Sequence, residues 1–357
     1  MPTRPKKSSP AAGLARQVAQ RAGVSLMTVS RVFNESPRVS PGTRERVLAV
    51  AEEVGYQPNI AARALRNGRP MMIGFMAASH EHINGSYHAQ TLVALESVFA
   101  PAGYTLAIMI PRGAETMGAM IRRLVASRAC ATVVLRLDKF DGLGLEDLAD
   151  LEAPVLFAGG VSRDFRGKAP FSSVRFDNAN GIVQAVRHLH ALGHERIAYL
   201  GGTPGWLDSE ERLAGFRHAM QELGLPIVEN WVRACSFALA HDTGREAVSA
   251  VLASGRQAPT AFVCASDEIA AGVYAAATRW GKRVPEDFSV VGFDDNQWCE
   301  FMNPSLTTVR HSGFDLGVRV GQLALKLVGQ SRVSVHDEVL ETSLVVRGST
   351  APPPPAK

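Results

Sequence analysis

The sequence predicts an α/β protein in two parts: a small, basic, three-helix head at the N-terminus and a larger two-lobed α/β body. Three observations carry this prediction. With 357 residues, 46% of them hydrophobic and 20% charged, the chain exceeds one domain of about 100–200 residues and can build a sizeable core. Its charge is segregated: residues 1–70 hold 12 Lys/Arg against 4 Glu, so this segment carries +8 and the remainder −4, although the formal net charge is only +4. From Met71 onward, strand-like apolar runs alternate with helical periodicity. A basic head on a mildly acidic body is the asymmetry expected where one end meets a polyanion.

Residues 1–13, rich in Pro, Lys and Ser, predict a disordered tail. Segment 14–22 places Val18, Ala19 and Ala22 on one helical face, and Gly23 suits the left-handed position after a helix. Ser25 can cap a second helix running to about Phe33, with Val29, Val32 and Phe33 facing inward. Ser40-Pro41, a cap followed by proline at the first helical position, opens a third helix. It packs Val47, Leu48 and Ala51 before Gly55 ends it. Helix, glycine-containing turn and short helix form a helix-turn-helix pattern, bounded at 14–58. Asn59 to about Asn67 can form a further short helix, too brief to be stable alone, within a linker at 59–70.

The body spans 71–349. Strands are expected at 71–77, 105–110, 131–137, 154–158, 173–176, 196–201, 231–236, 260–264, 288–293 and 339–346. Helices are expected at 89–102, 115–127, 179–192, 210–224, 242–254, 267–280 and 312–329. This alternation predicts parallel sheets covered on both faces, and about ten strands exceed one comfortable open sheet, hence two lobes. Lobe 1 is expected to comprise about 71–175 and 294–328, lobe 2 about 176–293 and 329–349. Residues 350–357 read as a Pro-rich extended tail. Ligands of such sheets sit at the carboxyl ends of the strands.

Several classes of function are disfavoured. Cys130, Cys235, Cys264 and Cys299 are widely spaced and read as reduced structural thiols, not a disulfide frame or zinc site. The N-terminus has no secretory pattern, and no apolar run approaches the roughly 20 residues of a membrane span. A cytoplasmic protein without a membrane partner is therefore expected. His80, Glu81, His82 and His88 lack a defined metal-ligand set, and His188, His190 and His194 read as structural, so no metal and no cofactor are expected. The GGTPG stretch lacks a phosphate-loop ending, no G-x-S-x-G elbow occurs, and Asp294-Asp295 has no nucleophile beside it. The chain does not read as an enzyme.

The stretch VAQRAGVSLMTVSRVFNESPRVSPGTRERVLAVAEEVGYQPNIAARALRNGRPMMIG resembles the head and hinge of the lactose/galactose-repressor family of bacterial transcription regulators. VRFDNANGIVQAVRHLHALGHERIAYLGG, ERLAGFRHAM, SDEIAAGVYAAATRWGKRVPEDFSVVGFDD and NPSLTTVR extend the resemblance to about 15–349, in the family's order. It implies a periplasmic-binding-protein-like body. It also implies a regulator, in most cases a repressor, that binds a palindromic operator as a homodimer and answers to a small-molecule effector, a sugar or sugar acid foremost. No C-terminal heptad repeat follows the body, so a dimer is expected over a tetramer. Solute-binding proteins share the body but not the basic head; a sugar-metabolising enzyme of similar texture would turn its ligand over.

The resemblance also assigns residues. Leu26, Met27 and Arg31 match base-reading positions, where arginine can bond guanine bidentately. Thr28, Ser30, Asn34, Thr43 and Asn59 match phosphate contacts, which set register. Ala62, Leu65 and Arg66 match a hinge helix whose leucine wedges into the minor groove. Arg212, Asp294 and Ser266 match effector contacts; Ser266 stands where many relatives have Asn. Two places depart from the family: Gly13, Leu14 and Gln17 replace its usual cap and charge, and SHEHINGSYHAQ replaces its usual pocket loop.

Overall fold

A computed structural model of the chain describes residues 10–33, 36–56, 70–77, 86–111, 115–126, 130–136, 148, 153–160, 171–253, 258–328, 330 and 335–355. Met1–Met71 and Met72–Lys357 form two compact units.

The head contains α1 (Pro10–Arg21), α2 (Leu26–Phe33) and α3 (Pro41–Glu53). Helix α1 begins at Pro10, so residues 10–13 belong to the helix and not to a disordered tail. Proline's missing N–H is no loss in the first turn, where that group has no intrahelical partner. Gly23 and Gly55, both at φ +64°, end α1 and α3 as the sequence predicts. Ser25 Oγ accepts the Thr28 N–H at 3.1 Å and so caps α2. Ser40 precedes Pro41 as expected, but its hydroxyl donates to Thr43 Oγ1 at 2.9 Å and makes no side-chain cap. Val18, Ala19, Ala22, Val29, Val32, Val47 and Ala51 form the core, and Phe33 meets Tyr56 edge-on at 5.4 Å. Leu48 is not part of this core; it is 43% exposed. Val47 and Ala51, four residues apart, define the inward stripe, and Leu48 is turned about 100° from it.

Among the described residues the body has two six-stranded sheets. The first takes β1 (Met72–Ala77), β2 (Thr105–Met109), β3 (Cys130–Arg136), β4 (Val155–Ala158), β5 (Ser172–Phe176) and β11 (Asp337–Leu340) in the order β11-β5-β4-β3-β1-β2. All its pairings are parallel. The second takes β6 (Ile197–Gly201), β7 (Val232–Ala234), β8 (Ala261–Cys264), β9 (Ser289–Asp294), β10 (Thr307–Arg310) and β12 (Ser343–Val345) in the order β12-β10-β9-β8-β6-β7. Only β12 runs antiparallel to its neighbour. The helices are α4 (Ser86–Phe99), α5 (Met117–Ala126), α6 (Asn178–Ala191), α7 (Leu207–Glu222), α8 (Ala240–Leu252), α9 (Asp267–Arg279) and α10 (Gly313–Leu327). Leu95 and Phe99 of α4 join Leu316, Val320 and Leu323 of α10 in one core of the first lobe. Met120, Ile121 and Leu124 of α5 lie in another. A single larger core fills the second lobe.

Two lobe boundaries differ from expectation. Strand β10 belongs to the second sheet, so lobe 1 resumes at α10 and not at 294. The expected strand 339–346 is two strands in different sheets, because the chain changes lobe at Glu341-Thr342. Thr342 Oγ1 donates to Asp177 O at 3.1 Å, which pins this crossing to the one after β5. The chain thus passes between lobes three times, after β5, after β10 and after β11.

The C-terminal segment is fastened to the second lobe beyond 349. Ser349 accepts the Thr307 N–H at 2.8 Å and donates to Val290 O at 2.6 Å. His194 Nδ1 and Nε2 lie 2.9 Å from Thr260 Oγ1 and 2.8 Å from Ala351 O. His188 Nε2 lies 3.0 Å from Thr350 Oγ1. Both histidines are structural, as the sequence suggests. Among the described residues no helix is long and apolar enough to cross a membrane.

Close packing of α6 on α7 requires Gly215, where an added Cβ would lie 2.4 Å from the Ala179 carbonyl oxygen. Backbone cannot yield as a side-chain tip can, so Gly215→Ala is expected to cost about 1–3 kcal/mol. Chemical denaturation of the body beside the wild type measures this.

Candidate functional site

On the head, α2 divides cleanly. Val29 and Val32 are buried, whereas Leu26 and Met27 are 47% and 62% exposed, which excludes a core role for these two. Arg31 is exposed in the last turn. Thr28 and Thr43, in the first turns of α2 and α3, and Ser30, in the middle of α2, are half-buried, with Thr28 Oγ1 3.0 Å from Ser25 Oγ. Other cations brace the head itself: Arg44 donates to Val32 O (3.2 Å) and Ser36 O (3.0 Å), Arg46 to Ala22 O (3.1 Å), and Arg21 pairs with Glu53. Asn34, Asn59, Ala62, Leu65 and Arg66 lie outside the described residues.

In the body, the carboxyl ends of both sheets meet at a polar seam. Arg212, buried in α7, donates through Nε to Asn178 Oδ1 at 3.0 Å and through Nη1 to Ala265 O. Its guanidinium lies 3.7 Å above the Phe293 ring and 3.9 Å from Asp294 Oδ1. Arg212 and Asp294 thus stand side by side on the second lobe. Asp294, at the end of β9, and the following Asp295 have φ of +129° and +57°, conformations costing about 1–3 kcal/mol each for non-glycine residues. Asp294 Oδ1 lies 2.6 Å from His311 Nε2. His311, at the second crossing, stacks on Tyr87 of the first lobe at 4.4 Å and packs on Phe176 and Phe293.

Ser266 is buried, and its hydroxyl accepts the Ile269 N–H at 3.2 Å as the cap of α9. Asp267 beside it accepts from the Asn296 N–H (2.8 Å), Thr308 Oγ1 (2.5 Å) and Cys299 Sγ (3.1 Å). Burial pushes the carboxyls of Asp294 and Glu268 up to about 7 and raises Asp267 as well. Burial, aided by Arg212, lowers His311, so it is neutral.

Sequence reasoning missed six residues of this seam. Arg136 at the end of β3 donates to Asp208 Oδ2 at 3.0 Å. Asn178 Nδ2 donates to Asp208 Oδ1 (3.2 Å) and Glu211 Oε2 (3.0 Å), and Tyr87 and His311 complete the group. Three of them were findable: Arg136 closes an apolar run, and Asn178 and His311 fall within two residues of strand ends, where open α/β sheets place ligands. His80 and His82 lie outside the described residues; among those described, no cluster of three His, Cys, Asp or Glu suits a metal.

Residues 16–59 match the family described as bacterial regulatory proteins, lacI family, and residues 186–350 match a periplasmic binding protein-like domain. The HTH-type transcriptional regulator DegA of Bacillus subtilis (strain 168) is 32% identical over 340 residues, covering 94% of this chain and 97% of DegA. The chain belongs to the lacI family of bacterial regulatory proteins. Its lacI-family architecture extends to solved structures. The Lac repressor dimer bound to operator and the anti-inducer ONPF has a TM-score of 0.77 at 30% identity, covering 94% of this chain and 98% of that one. The transcriptional regulator CelR–cellobiose complex has a TM-score of 0.68 at 28% identity, covering 94% and 99%. This lacI-family member is thus a DNA-binding transcription regulator and not an enzyme.

The buried acids give the body a pH signature. Asp294, Glu268 and Asp267 keep protons that the unfolded chain releases near pH 4. The contribution of Asp294 and Glu268 to stability is full below that value and is lost as pH rises through about 7; that of Asp267, also raised by burial, has the same sign. His311 acts oppositely, contributing above about pH 6.5 and losing that contribution below it. His188 and His194, also pushed down by burial, act with His311. Above about pH 6.5 all three imidazoles are neutral in either state and the acids alone set the slope, so Tm is expected to fall between about pH 6.5 and pH 8, and Glu268→Gln to flatten that slope. Scanning calorimetry across this range checks both; an unaltered slope in E268Q counts against a proton held there.

Proposed function

We propose that this lacI-family chain is a cytoplasmic repressor that binds a palindromic operator as a homodimer, under control of a small-molecule effector, a sugar or sugar acid, in the polar seam of the body. The observation that carries the reading is the outward face of α2: Leu26, Met27 and Arg31 stand exposed on the second helix of a basic helix-turn-helix. That geometry suits insertion into the major groove. Arg31 would bond guanine, and Leu26 and Met27 would touch thymine methyls or sugar edges. Thr28, Ser30, Asn34, Thr43 and Asn59 would hold phosphates, and Ala62, Leu65 and Arg66 would enter the minor groove.

The effector reading is supported by Arg212 and Asp294, which stand together beside the crossings, and by the likeness to a relative solved with cellobiose. The reading of operator and homodimer is supported by the likeness to a repressor dimer solved on its operator. Ser266 is the weakest of the three expected ligand contacts, since capping α9 already engages its hydroxyl. An effector acts only through different affinities for two body states, and coupling of about 1–3 kcal/mol changes operator affinity about five- to 150-fold.

Two substitutions test the two halves. Arg31→Ala is expected to relax base preference at one position per half-site, at about 1–3 kcal/mol; selection sequencing reads this, and an unchanged site profile removes Arg31 from the base contacts. Asp294→Asn is expected to leave operator affinity intact but blunt the effector response at least about fivefold. Operator titrations across a panel of sugars and sugar acids read that response.

A further inference from the structure

Arg136 ends β3 in the first lobe, yet its guanidinium reaches into the second. Nη2 donates to Asp208 Oδ2 at 3.0 Å in the first turn of α7, and Nη1 donates to Ala158 O at 3.3 Å within its own lobe. Both groups are largely withdrawn from water, the side chains being 6% and 17% exposed. Gly159 makes room for the guanidinium. At φ +122° it occupies backbone that side chains rarely adopt, and a Cβ there would lie 2.1 Å from Arg136 Nη1. The other oxygen of Asp208 accepts from Asn178, which begins α6 directly after the first crossing. One ion pair therefore ties lobe to lobe and, through Asn178, touches the chain where it passes between them.

We propose that Arg136 and Asp208 form an inter-lobe latch that sets the balance between closed and open bodies, and that an effector acts in part by taking Asp208 from Arg136. In the closed body the pair satisfies both charges; separating the lobes returns each to water, so the contact discriminates between the two states. A ligand replacing Nη2 must offer hydrogen to Asp208, as a hydroxyl or an ammonium does. A ligand carboxylate there would face Asp208 and Glu211 together, and like charges at such distance repel. The replacement step rests on the effector reading of the seam; the latch does not.

The test uses the full chain with spin labels at Arg123→Cys and His218→Cys, exposed positions on α5 and α7, diluted into unlabelled protein so that only distances within one chain are read. No small molecule is added. Arg136→Ala and Asp208→Asn should each shift the distribution to longer distances, with the closed fraction falling about fivefold or more. The double variant should shift no further than either single one, since both remove the same contact. Circular dichroism establishes folding; should Arg136→Ala fail to fold, Asp208→Asn, of nearly the same shape and at a less buried position, decides. Folded single variants with the wild-type distribution, or a double variant showing the summed shift, overturn the latch. Failure to find any effector would leave these distances untouched and would count only against the reading of the seam.

Discussion

Arg212 is almost wholly withdrawn from water, at 3% exposed, so its charge must be satisfied where it stands, and the way this is done organises the second lobe. Its Nε reaches Asn178 at the start of α6, its Nη1 reaches Ala265 just past β8, and its face rests on Phe293 beside Asp294 at the end of β9. One side chain thereby fixes three segments to one another. Breaking such a buried arrangement by removing a partner typically costs about 3–5 kcal/mol, whereas the same pairing on an exposed surface is worth about 0–1 kcal/mol. The seam is therefore well suited to discriminate between arrangements of its surroundings, because a displaced partner is not readily replaced by water.

The strain at Asp294 and Asp295 belongs to the same arrangement. Asp295 is held by Arg310 at 2.6 Å and Arg347 at 2.7 Å, and Asp294 meets His311 at 2.6 Å. These contacts offset the unfavourable backbone and aim one carboxyl into the seam while its neighbour braces β10 and the C-terminal segment. His311 carries the connection onward, because it sits on a crossing and stacks against Tyr87 of the first lobe. A change in what Asp294 bonds is thus felt where the two lobes join, without any long chain of intermediaries.

Most of the head was legible because its signals are local. Gly23, Ser25, Pro41 and Gly55 act on backbone within a few residues, and the stripe of valines and alanines follows from helical periodicity alone. The body's strands were legible as apolar runs, but their sheet membership was not. Whether Thr307–Arg310 joins the first or second sheet is decided by which strand lies beside it, and no local pattern encodes that. The split of 339–346 into two strands likewise depends on Thr342 meeting Asp177, 165 residues away. Arg212 and Asp294 were reached through the family resemblance, and the structure brings them together; Arg136 and Asp208 were missed because their pairing spans 72 residues. Leu48 was misplaced because a three-helix core is narrow, and a residue one step from the stripe already faces solvent.

The head's charge also reads differently once its contacts are known. Arg21 pairs with Glu53, and Arg44 and Arg46 donate to carbonyl oxygens beyond or at helix ends, so part of the +8 of the first 70 residues is already engaged within the fold. These contacts brace the helices against one another, although Arg21 and Arg46 remain exposed and Arg44 half-buried. On the exposed face of α2, two of the three side chains assigned to base reading are apolar and uncharged. If that face enters the groove, its discrimination must come more from shape and methyl contact than from hydrogen bonds, with Arg31 supplying the one directional contact and the phosphates supplying most of the affinity.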